Sequence, residues 1–166
     1  TNFQDYADAF QYLVRRYAER GVRVFEVWNE PNHEHFWPSG PNPAEYAGML
    51  RRAYVAAKEA DDSVVVVAGA LAQNDHRFLK GVYEAGGGGY FDAVSTHSYP
   101  KGDPTRCWND QSGMRHKDAL CAIENVRKVM VANGDADKEI YLDEFGWSTC
   151  SNDDPDCWDM GVTPQQ

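Results

Sequence analysis

The chain has 166 residues, 42% of them hydrophobic and 13% aromatic, which suffices for one globular core. Sixteen Lys plus Arg against 26 Asp plus Glu leave a formal net charge of -10, so a nucleic-acid backbone or an anionic membrane surface is repelled, and a neutral partner is easier to accommodate. No stretch approaches the ~20 apolar residues that cross a bilayer, and Thr1-Asn2-Phe3 does not begin a signal peptide, so the expectation is a cytosolic protein or a leader outside this chain.

Phe3, Tyr6, Phe10, Leu13, Val14 and Tyr17 recur at three- and four-residue intervals, placing them on one face of a helix that Gly21 ends. Val22 to Trp28 is a short β-branched and aromatic run that stops at the turn-forming Asn29-Glu30-Pro31-Asn32, and reads as a buried strand. Asn42 caps a helix with Pro43 in its first position and Glu45 at the reciprocal capping-box position. Tyr46, Met49, Leu50, Ala53, Tyr54 and Ala57 form its apolar stripe. The uninterrupted run Val64 to Ala68 suits a strand covered on both faces, as in a parallel sheet. Phe78, Leu79, Val82 and Tyr83 mark the next helix. The run Gly86 to Gly89 precedes a strand, Tyr90 to Thr96; a phosphate-cradling loop leads from a strand into a helix, so this one is a connector. After a polar loop through Trp108 comes a helix with Leu120, Ile123, Val126, Val129 and Met130, ending near Asn133-Gly134. Ile140 to Asp143 is the last strand, and Thr163-Pro164 begins another helix.

The order is therefore α-β-α-β-α-β-α-β, with no internal repeat and no linker, which implies right-handed βαβ crossovers and an α/β fold around a parallel sheet. An open doubly wound sheet and a slice of a closed (β/α)8 barrel both satisfy this pattern; a complete barrel takes ~250 residues. The four cysteines fall into two local pairs, Cys107 with Cys121 and Cys150 with Cys157, each bracketing a polar stretch. Two loop-stapling disulfides and an extracytoplasmic home follow as an expectation, with free thiols the alternative. Neither pair has the spacing of a zinc site.

Each unusual polar cluster lies at the C-terminal end of a predicted strand: Asn29 and Glu30 after the first, His97 and Tyr99 after the third, Glu144 after the fourth. In barrels that end carries the active site. Strands three βα steps apart lie nearly opposite each other in an eight-stranded ring, so Glu30 and Glu144 converge over its mouth. Two convergent carboxylates are what glycosidic cleavage needs, one protonated to assist the leaving group and one ionised to attack the anomeric carbon.

Three segments carry a family resemblance. Val24-Phe25-Glu26-Val27-Trp28-Asn29-Glu30-Pro31-Asn32 resembles the acid/base motif after the fourth strand of clan A glycoside hydrolases. Ser95-Thr96-His97-Ser98-Tyr99-Pro100 resembles the segment after their sixth strand, and Tyr141-Leu142-Asp143-Glu144-Phe145-Gly146-Trp147 the nucleophile segment after their seventh. Within the clan the wording is most similar to bacterial glycoside hydrolase family 39, with family 5 close behind. The resemblance implies a partial (β/α)8 barrel, strands four to seven with their helices, forming one catalytic unit over residues 1–166 that lacks strands one to three and eight. It further implies a retaining O-glycosidase of polysaccharides or oligosaccharides, needing no cofactor or metal, with Glu30 as acid/base and Glu144 as nucleophile. Asp143 stands where the clan more often has a threonine.

The same resemblance makes Asn29 a hydrogen-bond donor to the substrate 2-hydroxyl, where the residue alone suggests only an Asx turn. His97 and Tyr99, two apart on a strand end, share a face and look into the site, with Tyr99 bonding the nucleophile; core packing is the plainer alternative. Phe36, Trp37, Trp108, Trp147 and Trp158 lie in or beside the top loops, and Trp37 and Trp147 are the expected sugar platforms. Glu26 reads as a barrel-interior or salt-bridged carboxylate. His33 and His35, with Glu34 between, form a weak metal signature that a metal-free hydrolysis does not use. Rival readings are a carbohydrate-binding pseudoenzyme, an inactive barrel fragment, and a Rossmann-type binding domain, the last weakened because no G-x-G-x-x-G follows the first strand.

Overall fold

The computed structural model describes residues 2–100, 103, 105–117 and 119–147; the expected Cys150–Cys157 pair, Trp158 and the helix at Thr163-Pro164 lie outside them. Helix α1 (Phe3–Ala18) leads to strand β1 (Val24–Asn29), α2 (Pro43–Ala60) to β2 (Val65–Leu71), α3 (His76–Glu84) to β3 (Ala93–Thr96), and α4 (Ile123–Ala132) to β4 (Glu139–Tyr141). The four strands form one sheet in the order β1-β2-β3-β4, every pair parallel. Strand order never reverses, as it would at the switch point of a doubly wound sheet. Consecutive helices also pack against one another in chain order, α1 on α2, α2 on α3, α3 on α4, as a single outer layer. Both features are those of a barrel wall.

Local chemistry explains the element boundaries. The Asn42 side chain accepts from the amides of Ala44 and Glu45, satisfying two donors that the first turn of α2 leaves open, a cap worth ~1 kcal/mol. Glu45, expected to reach back to the cap, instead accepts from Trp37 Nε1 at 3.2 Å. Asp75 caps α3 in the same way as Asn42, through the amides of Arg77 and Phe78. Gly21 at φ +92° takes the left-handed turn after α1, which a side chain would resist. Strand β2 runs to Leu71, three residues past the expected Ala68, whereas β3 starts at Ala93 rather than Tyr90.

The core lies between the helices and one face of the sheet. Phe10 and Val14 of α1, Met49, Leu50 and Ala53 of α2, Leu79 and Val82 of α3, and Val126 and Met130 of α4 are buried with Val27, Val66, Ala68 and Val94. Val24 and Trp28, by contrast, are 42% and 39% exposed. Between β3 and α4 the polar loop is stapled by a disulfide, Cys107–Cys121, leading into a single 3-10 turn, Leu120–Ala122.

Candidate active site

The end of β1 is built so that its chain turns inward. Val27 pairs with Ala68 and Asn29 with Ala70, but between them Trp28 has φ +73° and Glu30 follows at φ +42°, both left-handed. Each such residue costs ~1–3 kcal/mol and persists only where its surroundings enforce it. The enforcement is visible on β2. Gly69 lets the strands approach so closely that a Cβ there would lie 2.2 Å from Val27 O and 2.6 Å from Trp28 O. Side chains serve the two β2 amides at this break: Gly69 N–H donates to Tyr46 Oη at 2.6 Å, and Ala70 N–H donates to Glu26 Oε1. Tyr46, fully buried, donates its own O–H to Val27 O at 3.0 Å. Beyond Glu30, Asn32 fastens the turn to the next loop, accepting from Ala72 N and donating to Ala72 O at 2.8 and 3.1 Å.

The ends of β3 and β4 bring the other half. Past the regular strands, Ser98 pairs with Phe145: Ser98 N–H donates to Glu144 O at 3.0 Å and Gly146 N–H to Ser98 O at 3.3 Å. Both bonds tie the Glu144 segment to Ser98. The Glu144 carboxylate accepts from Tyr99 Oη at 2.9 Å. Burial first, and then that bond, raise the Tyr99 pKa and keep the phenol a donor. His97, almost wholly buried, sits between the two glutamates, with Nδ1 2.7 Å from Glu30 Oε1 and 3.4 Å from Glu144 Oε2. One oxygen of Glu30, one of Glu144 and a His97 nitrogen lie within 4.8 Å of one another. The Glu30 side chain is 15% exposed and that of Glu144, beyond the outermost strand, 49%.

Glu26 and Asp143 bring two further carboxyls near Glu144 and His97. Burial, followed by a hydrogen bond with Asp143, pushes the Glu26 pKa up to about 8. Burial opposes ionisation of Asp143 too, but bonds from Glu26 and Ser95 outweigh it and its pKa falls below the usual carboxylate range. Ser95 Oγ donates to Asp143 Oδ1, which lies 3.7 Å from His97 Nε2. Glu30, His97 and Glu144 are a donor set that a divalent cation also fits, but a cation there would occupy both carboxylates and displace the bonds to His97 and Tyr99.

The sequence profile described as glycosyl hydrolases family 39 matches residues 3–162. The chain belongs to that family. Family 39 membership agrees with the solved structures it resembles. A monomeric β-xylosidase from Caulobacter crescentus CB15 is 30% identical, with a TM-score of 0.61, over 89% of this chain and 31% of that one. A family 39 glycoside hydrolase from the gut symbiont Bacteroides cellulosilyticus WH2 shares the fold at TM-score 0.71 and 23% identity, over 92% of this chain and 32% of that one. A family 39 enzyme from Xanthomonas axonopodis pv. citri shares it at 0.61 and 24% identity, over 89% and 30%. No curated protein sequence matches. The chain thus spans about a third of the length of these family 39 structures, and its sheet is part of a (β/α)8 barrel.

Of the residues singled out from the family 39 motifs, Glu30, His97, Tyr99 and Glu144 come together in one cluster. Asn29 is the last residue of β1, half-buried beside Glu30. Trp37 corrects the expectation of a sugar platform: it is 6% exposed, edge-on to Trp28 and Tyr46, with Nε1–H bonded to Glu45, so its faces belong to the core. Trp147 is half-buried against Phe145, and its buried Nε1 has no hydrogen-bond partner among the described residues. Trp108 stacks on His116. His33 and His35 close their own turn, His35 N–H donating to His33 Nδ1 at 3.2 Å. Residues passed over were Asn32 and Ser98, which hold the two glutamate loops, and Glu26; the first stands inside the Asn-Glu-Pro-Asn motif and the second between His97 and Tyr99, so position in the motif was the available signal.

Proposed function

We propose that the protein carrying this segment is a retaining O-glycosidase acting on an oligosaccharide or polysaccharide, with Glu144 as nucleophile and Glu30 as acid/base. The observation that carries the reading is the approach of the two carboxylates, with oxygens within 4.8 Å. Retaining enzymes hold the pair at about 5–5.5 Å, whereas inverting ones leave about 6.5–9.5 Å for a water between them. Glu144, the more open carboxylate, attacks the anomeric carbon while Glu30 protonates the departing oxygen. The resulting glycosyl ester is then cleaved by water that Glu30 deprotonates. Tyr99 holds the attacking oxygen, His97 orders the two carboxylates relative to each other, and Asn29 and Trp147 contact the sugar. The 30% identity to a β-xylosidase makes an aryl β-xyloside the first substrate to try. The disulfide Cys107–Cys121 supports an extracytoplasmic setting, where such bonds persist.

The test is made on the complete protein. Glu144→Ala is expected to abolish turnover, with azide restoring part of it and giving the glycosyl azide of inverted anomeric configuration. Glu30→Ala spares the first step for aryl glycosides with good leaving groups and slows it for unactivated glycans. Parental rates on an unactivated glycan in both variants would overturn both assignments.

A further inference from the structure

The turn that follows β2 ties the two halves of the site together. Its three residues, Ala72–Asn74, form a 3-10 turn in which Gln73 and Asn74 both take left-handed backbone, at φ +54° and +53°. Such residues are uncommon outside glycine and persist only where their surroundings hold them. On one side the holding comes from the Glu30 loop. Asn32, two residues past Glu30, accepts from Ala72 N at 2.8 Å and donates to Ala72 O at 3.1 Å. On the other side the turn reaches the end of β3. Asn74 is 1% exposed, and its amide spans two residues: Oδ1 accepts from Thr96 Oγ1 and Nδ2 donates to Ser98 Oγ, each at 3.2 Å. Side chains alternate along an extended chain, so Thr96 and Ser98 share one face and His97 and Tyr99 the other. Asn74 therefore grips the back of the segment whose front meets both glutamates. His97 Nδ1 lies 2.7 Å from Glu30 Oε1 and 3.4 Å from Glu144 Oε2, and Tyr99 Oη donates to Glu144 Oε2. Ser98 adds its backbone bonds to the Glu144 segment.

We propose that Asn74 is a positioning residue of the glycosidase site: the Ala72–Asn74 turn is a strut between the Glu30 loop and the end of β3, and the Asn74 amide sets His97 and Tyr99 against the two carboxylates. This rests on the proposed function and extends it to a residue that acts on the glutamates through others. Asparagine suits the place twice over, because it tolerates left-handed backbone and carries an acceptor and a donor on one planar group. Without the amide, Thr96 and Ser98 lose their common anchor. The segment then slides relative to the Glu30 loop, and the imidazole and phenol on its front move with it.

Asn74→Gly removes the amide and leaves a residue at ease with φ +53°, so the backbone is not strained by the change. In the complete protein, with an aryl glycoside as substrate, kcat is expected to fall about 10- to 100-fold and KM to stay within about twofold, as for reacting groups displaced by up to about 1 Å. A residue that only stabilised the fold would shift the urea midpoint and leave kcat per folded molecule unchanged. In a Ser98→Ala background the same substitution should cost less than in the parent, because one of its two bonds is already gone. Nitrogen-15 spectra of the histidine rings give a readout apart from activity: the His97 Nδ1 resonance, governed by its contact with Glu30, should move in Asn74→Gly. A kcat within about threefold of the parent, an equal loss in both backgrounds, or an unmoved His97 resonance would overturn the strut. If instead Glu144→Ala and Glu30→Ala leave hydrolysis intact, it is the glycosidase reading that fails.

Discussion

Replacing Gly69 by Ala tests how tightly the geometry of the proposed acid/base is tied to strand packing. The added Cβ would sit 2.2 Å from Val27 O, 2.6 Å from Trp28 O and 3.0 Å from Tyr46 Oη. A carbon against a carbonyl oxygen settles at about 3.3 Å or more, so β1 must retreat from β2 by about 1 Å. Neither neighbour is a flexible side-chain end, and the retreat falls one and two residues before Asn29 and Glu30. Overpacking of this kind costs about 1–3 kcal/mol in stability. A displacement of about 1 Å at a reacting group costs about 100-fold in rate. Urea unfolding together with kcat and KM on an aryl glycoside would read both effects in the complete protein, the rate loss falling on kcat. A variant of parental stability whose kcat stays within threefold would refute the idea that this contact aims Glu30.

Tyr46→Phe strands two buried backbone groups, Gly69 N–H and Val27 O; at about 1–3 kcal/mol for each unsatisfied group, a loss of about 2–6 kcal/mol is expected in denaturant titrations, and a loss under about 0.5 would contradict it. Tyr99→Phe removes the 2.9 Å bond to Glu144; since that carboxylate is about half exposed, the low end of about 1.5–3 kcal/mol for a charged bond applies, and kcat/KM should drop about tenfold. Cys107 and Cys121 are 14 residues apart, so reduction should lower stability by up to about 3 kcal/mol, visible as a shift of the urea midpoint with dithiothreitol and absent from Cys107→Ser. The folded protein keeps a proton on Glu26 that the unfolded chain releases near its ordinary pKa of 4.5. Stability should therefore fall relative to Glu26→Gln as pH rises from about 4.5 to about 8, and level off above. Parallel stability curves for the two proteins would show that Glu26 is ionised throughout.

The parts of this fold that the sequence announces are those written in local chemistry. Asn42-Pro43 names its own cap, Val64 to Ala68 names a strand covered on both faces, and the strand-end positions of Glu30, His97, Tyr99 and Glu144 name one end of a sheet. What stayed hidden depends on neighbours distant in the chain. Trp37 looks like a loop tryptophan until α1 and α2 close around it, Phe3 and Tyr46 packing against its ring and Glu45 taking its N–H. Glu26 was recognisable as an interior carboxylate. Its partner is 117 residues away, and its protonation follows from burial and from Asp143, neither of which a residue pattern records. The left-handed backbone at Trp28 is likewise a product of the close approach at Gly69, 41 residues on.

The proposed acid/base and nucleophile stand on the two outermost strands of the sheet, β1 and β4, with β2 and β3 between them. Three strand spacings laid flat would separate them by about 14 Å. That their oxygens come within 4.8 Å means the wall bends enough to close the difference, like the jaws of a calliper whose hinge is spread over every ladder between. The gap that decides between retention and inversion is therefore adjustable from places that never meet a sugar. A bulge gained in β2, or a glycine lost from it, resets the jaws, so stereochemistry on such a scaffold can be inherited, or altered, through the curvature of its wall.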